Sequence, residues 1–347
     1  MLESLTLQNF SAFAEADFRF APGLNLIVGE NGTGKSHVLK VAYSALHVLQ
    51  AGVKESPSKP RLQTKIADKL VSVFRVDEVG RLTRHATGTQ QHCEVRCQFS
   101  PPATSLAFSF DSTSTSEVAV DCAPTRWTHH RAVYLPTREL LTIYPGFVSL
   151  YETTHLPFEE TWRDTCIELG APLAKGSREK RILELLAPLE DAMEGRVELD
   201  SAGRFHLRAN GMRLEMHLVA EGLRKLAMIA RLIATGALAR PAFLFWDEPE
   251  ANLNPKMIKL IARVILHLCQ SGIQVFIASH SLFLMRELDI LLQSGPFQST
   301  KARFFGLHRS DEGVQVQQGN SVDDIGTIDA LQEELSQSDR YLETEPS

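Results

Sequence analysis

Gly29-Glu30-Asn31-Gly32-Thr33-Gly34-Lys35-Ser36 decides the fold of this 347-residue chain. The stretch matches G-x-x-x-x-G-K-[ST] at every fixed position. Glycines at those places let backbone N–H groups turn inward around a polyphosphate, and a helix opening there adds its positive end. In that pattern Gly29, Glu30, Asn31, Gly32, Thr33, Gly34, Lys35 and Ser36 all line a nucleotide. Lys35 reaches the β and γ phosphates, and the Ser36 hydroxyl ligates Mg2+. The flanks agree. Leu24-Asn25-Leu26-Ile27-Val28 reads as a short buried strand, and Val38, Leu39, Ala42 and Leu46 follow at helical spacing.

A second buried strand, Ala242-Phe243-Leu244-Phe245-Trp246, ends in Asp247-Glu248. Carboxylates are costly to hold beside a core, so two of them at a strand end point to chemistry. Asp247 is placed to hold the Mg2+ shell with Ser36. Glu248 is placed to deprotonate a water attacking the γ-phosphate. A third strand, Ile273–Ala278, runs into Ser279-His280, where the imidazole can contact the same phosphate. Ligands of open α/β sheets sit at the carboxyl ends of the strands, which brings the three motifs together. Glu248, His280 and Lys35 form the candidate catalytic set.

Around these motifs, residues 1–28 read as strands. Residues 51–62, rich in Ser, Pro and Lys, read as a loop. Between 92 and 135 the short strands Glu94–Phe99, Leu106–Phe110, Val118–Val120 and Ala132–Leu135 suggest an antiparallel layer. Residues 150–195 read as helical and 203–218 as a hairpin. Helices are expected from about Gly222 to Ala239 and over Met257–Cys269. Apolar strands alternating with helices imply a largely parallel sheet covered on both faces. Ala302–Leu307 and Val314–Val316 look like final strands. Ile325–Leu335 reads as a short acidic helix, with Asp339-Arg340-Tyr341-Leu342 as a docking or frayed tail.

With 44% hydrophobic and 22% charged residues, the chain is neither disordered nor collagen-like. No apolar run approaches the roughly 20 residues of a membrane helix, and no signal peptide is visible. Five cysteines without a C-x-x-C pair read as reduced thiols of a cytosolic protein, and Cys93 and Cys97 lack a second pair for zinc. The net charge of −6 hides an uneven distribution: residues 321–347 hold eight acids and one base, while 54–84 hold eight bases and four acids. The basic segment is a solvated surface or a nucleic-acid contact.

Taken in order, five segments resemble the ABC-type ATPase heads of the SMC, RecF and OLD group, in particular prokaryotic AAA family ATPases of the AAA-15/AAA-21 type. They are Leu7–Phe10, Gly29–Ser36, Ala220-Glu221-Gly222-Leu223-Arg224-Lys225, Trp246–Pro255 and Ala278-Ser279-His280-Ser281. The resemblance covers about residues 1–300. It implies an α/β P-loop NTPase, an ABC-type head with a mixed sheet, an antiparallel β subdomain and a helical insertion. Residues 1–145 would form lobe I, 146–210 the insertion and hairpin, 211–310 lobe II, and 311–347 an acidic tail. It further implies a homodimer with ATP and Mg2+ sandwiched between two copies, each site completed by the signature segment Ala220, Glu221, Gly222 of the second copy.

Four departures stand out. Ala220 replaces the signature Ser, leaving the amides of Glu221 and Gly222 to meet the phosphate. Asn254 takes the place of the D-loop Asp. Pro136-Thr137-Arg138-Glu139 stands where a Q-loop Gln is expected; Arg138 or Glu139 substitutes, or the segment is a surface turn. Finally, no long coiled coil or zinc hook is encoded. The 67 residues after His280 are too few for a Toprim domain. The resemblance implies an ATP-switched regulator in phage defence that acts on a separately encoded nuclease or toxin. The alternative is a DNA repair or maintenance ATPase that binds DNA directly.

Overall fold

The computed structural model describes residues 1–51, 58–84, 91–154, 156–174, 179–238 and 241–344. The chain opens with the hairpin β1 (Leu2–Phe10) and β2 (Phe13–Arg19), then β3 (Leu24–Gly29), the phosphate loop and α1 (Lys35–Ala51). Next come α2 (Lys59–Phe74), β4 (His92–Phe99), β5 (Leu106–Asp111), β6 (Ala119–Cys122) and β7 (Arg131–Leu135). Three helices follow, α3 (Tyr144–Thr153), α4 (Glu160–Gly170) and α5 (Glu179–Met193), then β8 (Gly195–Leu199), β9 (Phe205–Ala209) and β10 (Met212–Glu215). The second half holds α6 (Glu221–Ala234), β11 (Ala242–Asp247), α7 (Pro255–Gln270), β12 (Gln274–Ser279) and α8 (Leu282–Gln293). The last elements are β13 (Ala302–Ser310), β14 (Gly313–Gly319) and α9 (Asp329–Glu343).

The central six-stranded sheet runs β14-β13-β3-β12-β11-β7. All its neighbours pair in parallel except β13 and β14, so the sheet is mixed. A five-stranded antiparallel sheet, β2-β1-β4-β5-β6, lies on one side, and β10-β9-β8 forms a small third sheet. Successive residues of a strand point to opposite faces. Phe243 and Phe245 of β11 therefore join the core shared with α1 and the antiparallel sheet, while Leu244 and Trp246 join the core under α6 and α7.

The structure corrects four expectations. Residues 59–62 are not loop but the start of α2, whose Leu62, Ile66, Leu70 and Val73 are buried at helical spacing. Proline in its first turn removes an N–H that would have no partner there. The strand at 131–135 belongs to the central sheet beside β11, not to the antiparallel layer. Helix α6 stops at Ala234, short of Ala239, which lies outside the described residues with Arg240. Residues 339–342 continue α9, whose sequence carries no breaker there, with Tyr341 and Leu342 exposed. Lys54, Glu55 and Glu345 also lie outside the described residues. No described helix is long and apolar enough to cross a membrane.

Lys69, one of the eight bases of the 54–84 segment, does not face solvent. It is buried against Asp164 of α4 and lies 3.0 Å from Glu160. Asp164 also accepts a hydrogen bond from the Tyr43 hydroxyl (2.7 Å) and pairs with Arg163 (3.1 Å). A charged cluster thus joins α1, α2 and α4.

Candidate functional site

Parallel register fixes where the motifs meet. Asp247 at the end of β11 lies beside Ala278 of β12, and Ser279 lies beside Val28 of β3. The phosphate loop, Asp247-Glu248 and His280 therefore leave the sheet on one rim.

Within the loop, Gly32 and Gly34 hold φ of +80° and +89°, where a side chain is strained. A Cβ on Gly34 would stand 2.9 Å from the Phe13 ring. Thr33 closes the turn by donating its hydroxyl to the Glu30 carbonyl (2.8 Å). The buried Lys35 ammonium donates to the carbonyls of Gly29 (2.8 Å) and Glu30 (2.9 Å). Burial lowers its pKa, and the carboxylates of Glu248, Asp247, Glu250 and Glu30 pull in the opposite direction. An ammonium crowded by carboxylates and backbone oxygens is a ready donor for an entering phosphate.

Ser36, at the start of α1, donates to Asp247 Oδ1 at 3.0 Å, while the Tyr134 hydroxyl of β7 donates to Oδ2 at 3.2 Å. Burial raises the Asp247 pKa, opposed by the Ser36 hydrogen bond and the Lys40 charge. The Ser36 hydroxyl and a carboxylate make a hard oxygen donor pair, the chemistry that suits Mg2+.

Glu248 adopts φ of +47° and its amide donates to the Ala278 carbonyl (2.9 Å). That conformation costs a non-glycine residue about 1–2 kcal/mol and is held here by the sheet. Glu248 Oε1 lies 3.1 Å from His280 Nδ1. Behind them Glu250 is buried: its Oε1 accepts the Ser279 hydroxyl (2.6 Å) and the His280 amide (3.3 Å).

Ala220 is the N-cap of α6, and Glu221 and Gly222 form its first turn. This segment rests on the loop after Glu248. Glu221 accepts from Asn252 Nδ2 (3.0 Å), and a Cβ on Gly222 would stand 3.1 Å from Leu253. The fully buried Lys225 donates to the Ala251 carbonyl (2.6 Å), its pKa lowered by burial. Asn254 spends its side-chain oxygen on capping α7, accepting from the Met257 amide (3.0 Å).

Of the two Q-loop substitutes, the geometry separates the roles. Arg138 lines a cavity of about 520 Å3 together with Thr137, Tyr134, Asp247, Glu248 and Asn252. Glu139 turns away, is buried, and lies 2.9 Å from Arg224 Nε in an ion pair whose off-line approach makes no directed hydrogen bond.

Four further residues of the site, Tyr134, Glu250, Lys225 and Arg309, have no role assigned from the sequence, and of these Glu250 alone carries a visible signal. Arg309, from β13, donates to the Asn31 carbonyl over the phosphate loop. A Cβ on Gly32 would stand 2.9 Å from its guanidinium. An acid following Asp-Glu-Pro was a visible signal for Glu250. The others are brought in by long-range pairing.

A family model described as "AAA domain, putative AbiEii toxin, Type IV TA system" matches residues 122–286, and a second, "AAA domain", matches residues 4–41. The structure of an SMC head bound to the C-winged helix domain of ScpA aligns with a TM-score of 0.55 at 16% identity, covering 93% of this chain and 98% of that one. The SMC head of Pyrococcus yayanosii, with a coiled coil and joint, gives 0.53 at 10% identity, covering 97% and 99%. The chain has the fold of an SMC head. Among curated relatives, this head is similar to the DNA replication and repair protein RecF of Magnetococcus marinus, 56% identical over 39 residues. It is also 43% identical over 56 residues to RecF of Edwardsiella ictaluri. The matched stretches span 11% and 15% of the head and only 10% and 16% of those relatives.

Proposed function

We propose that this head is a Mg2+-dependent ATPase that closes into a homodimer around ATP and passes the resulting conformational change to a separately encoded effector. The observation that carries the proposal is the rim itself. Lys35, the Ser36–Asp247 pair and the Glu248–His280 pair converge where a triphosphate on the loop would end. Lys35 would exchange its two carbonyl partners for phosphate oxygens. Ser36 and Asp247 would hold Mg2+, which when bound polarises the phosphates and neutralises developing charge. Glu248 accepts the proton of the attacking water, and His280 holds the γ-phosphate in place from beside it. The signature segment Ala220–Gly222 of the second copy closes the site with its helix N-terminus. Residues 1–145 and 211–310 act as the two lobes of the switch.

We place this activity in the cytoplasm and in phage defence, with a nuclease or toxin as the effector. The family description, whose printed words attach a putative type IV TA toxin to the matched domain itself, is compatible with a defence setting, and the separate effector follows from the resemblance. The second reading, a DNA repair or maintenance ATPase, is favoured by the RecF matches. It loses part of its basic surface, because Lys69 is buried in an ion pair.

The test is the native mass of tagged Glu248→Gln protein recovered from its own cells with ATP and Mg2+. Two chains plus a second polypeptide support the switch. Two chains plus nucleic acid support the DNA reading. A bare monomer refutes the ATP-closed dimer.

A further inference from the structure

We infer that Tyr134 is the positioning residue that sets how Asp247 is presented to a divalent cation. The inference rests on the ATPase reading above. It starts from an unneeded polar atom. Tyr134 is 1% exposed and packs in the same core as Phe243, Phe245 and Phe276, all of them apolar rings on the same face of the central sheet. Phenylalanine would fill that volume equally well, and a buried hydroxyl without a partner is costly. Among the described residues the partner of the Tyr134 hydroxyl is Asp247 Oδ2.

The two oxygens of Asp247 are thus held by hydroxyls from different elements, Ser36 of α1 on Oδ1 and Tyr134 of β7 on Oδ2. A cation entering between Ser36 and Asp247 would replace the Ser36 hydrogen bond to Oδ1 and take both of those oxygens, while the Tyr134 hydroxyl keeps Oδ2 and with it the orientation of the carboxylate. The Tyr134 ring is itself fixed. It meets the Tyr43 ring edge to face at 5.4 Å, and its carbonyl accepts the Thr165 hydroxyl of α4. Tyr43 in turn donates to Asp164. Outer-shell donors of this kind orient the ligand and commonly change metal affinity about 10- to 100-fold when removed.

The experiment uses the full chain, a non-hydrolysable ATP analogue and Mn2+ followed by electron paramagnetic resonance. Tyr134→Phe is expected to raise the Mn2+ Kd of the analogue complex about tenfold. Its affinity for the analogue without metal should match the unsubstituted protein. Tyr43→Phe, which removes the Asp164 bond but keeps the Tyr134 hydroxyl, should leave the Mn2+ Kd unchanged. An unchanged Mn2+ Kd in Tyr134→Phe overturns the inference. So does an equal weakening in Tyr43→Phe, which would trace the effect to packing. Loss of metal-free analogue affinity in Tyr134→Phe overturns it too, because the hydroxyl would then shape the whole site. If the unsubstituted protein binds Mn2+ no better with the analogue than without, the ATPase reading itself fails and takes the inference with it.

Discussion

Replacing Asp164 by Asn should destabilise the chain by about 2–3 kcal/mol. The carboxylate is held by four groups, the ammonium of Lys69, the Tyr43 hydroxyl (2.7 Å), Arg163 (3.1 Å) and His47 (3.6 Å). Removing one partner of a buried ion pair costs roughly 3–5 kcal/mol when the other is left uncompensated. Lys69 would keep Glu160 at 3.0 Å, so the lower end of that range and somewhat below is expected. Burial alone would raise the Asp164 pKa, but the Lys69 charge and the Lys69 and Tyr43 hydrogen bonds hold it below the ordinary Asp value, and His47 adds its charge only in acid because burial lowers its pKa to about 4. The sign follows. The stabilisation is complete above the unfolded-state pKa of about 3.9 and disappears as pH falls through the lower folded value. Urea unfolding of both proteins at pH 7, 5 and 3.5 checks this. The gap should be equal at the first two and begin to close at the third. A difference below about 0.5 kcal/mol at pH 7, or a gap that widens in acid, would refute the reasoning, because it would mean that the charge contributes nothing net.

Glu248→Gln should lower phosphate release by about 10²- to 10⁴-fold while ATP binding persists, measured by steady-state turnover and nucleotide titration. Unchanged turnover would mean the base is another group. Lys35→Ala should abolish ATP binding; normal affinity in calorimetry would sink the phosphate-loop assignment. Gly34→Ala should weaken nucleotide binding more than tenfold and cost roughly 2 kcal/mol, because its φ is +89° and the new Cβ meets the Phe13 ring. A thermal melt together with a nucleotide titration decides this, and wild-type values in both would count against the close fit of the loop.

What was legible in the sequence was local. The phosphate loop, Asp247-Glu248 and Ser279-His280 each sit at the end of an apolar run that declares itself as a strand, and the parallel-sheet rule gathers them without any coordinate. The helix α2 was equally local but masked by composition. Ser58, Lys59 and Pro60 look like a turn, although Leu62, Ile66, Leu70 and Val73 carry the helical period. The placement of β7 needed its partner. Four successive apolar residues, Ala132–Leu135, fit a strand buried on both faces, yet only pairing with β11 distinguishes the central sheet from the outer one. Tyr134, Lys225 and Arg309 could not be read because their partners lie 113, 26 and 278 residues away. The tail's acidic composition hides the helix Asp329–Glu343, whose sequence runs through residues 339–342 without a breaker.

The buried Lys225 has a consequence for how this head can move. Its ammonium ties α6 to the Ala251 carbonyl, Asn252 reaches back to Glu221, and Gly222 lets Leu253 sit against the helix. These three contacts act as a clasp, so the opening of α6 and residues 251–253 travel as one piece. A chimera that imports a foreign signature segment without its matching loop would place a new latch on an old catch.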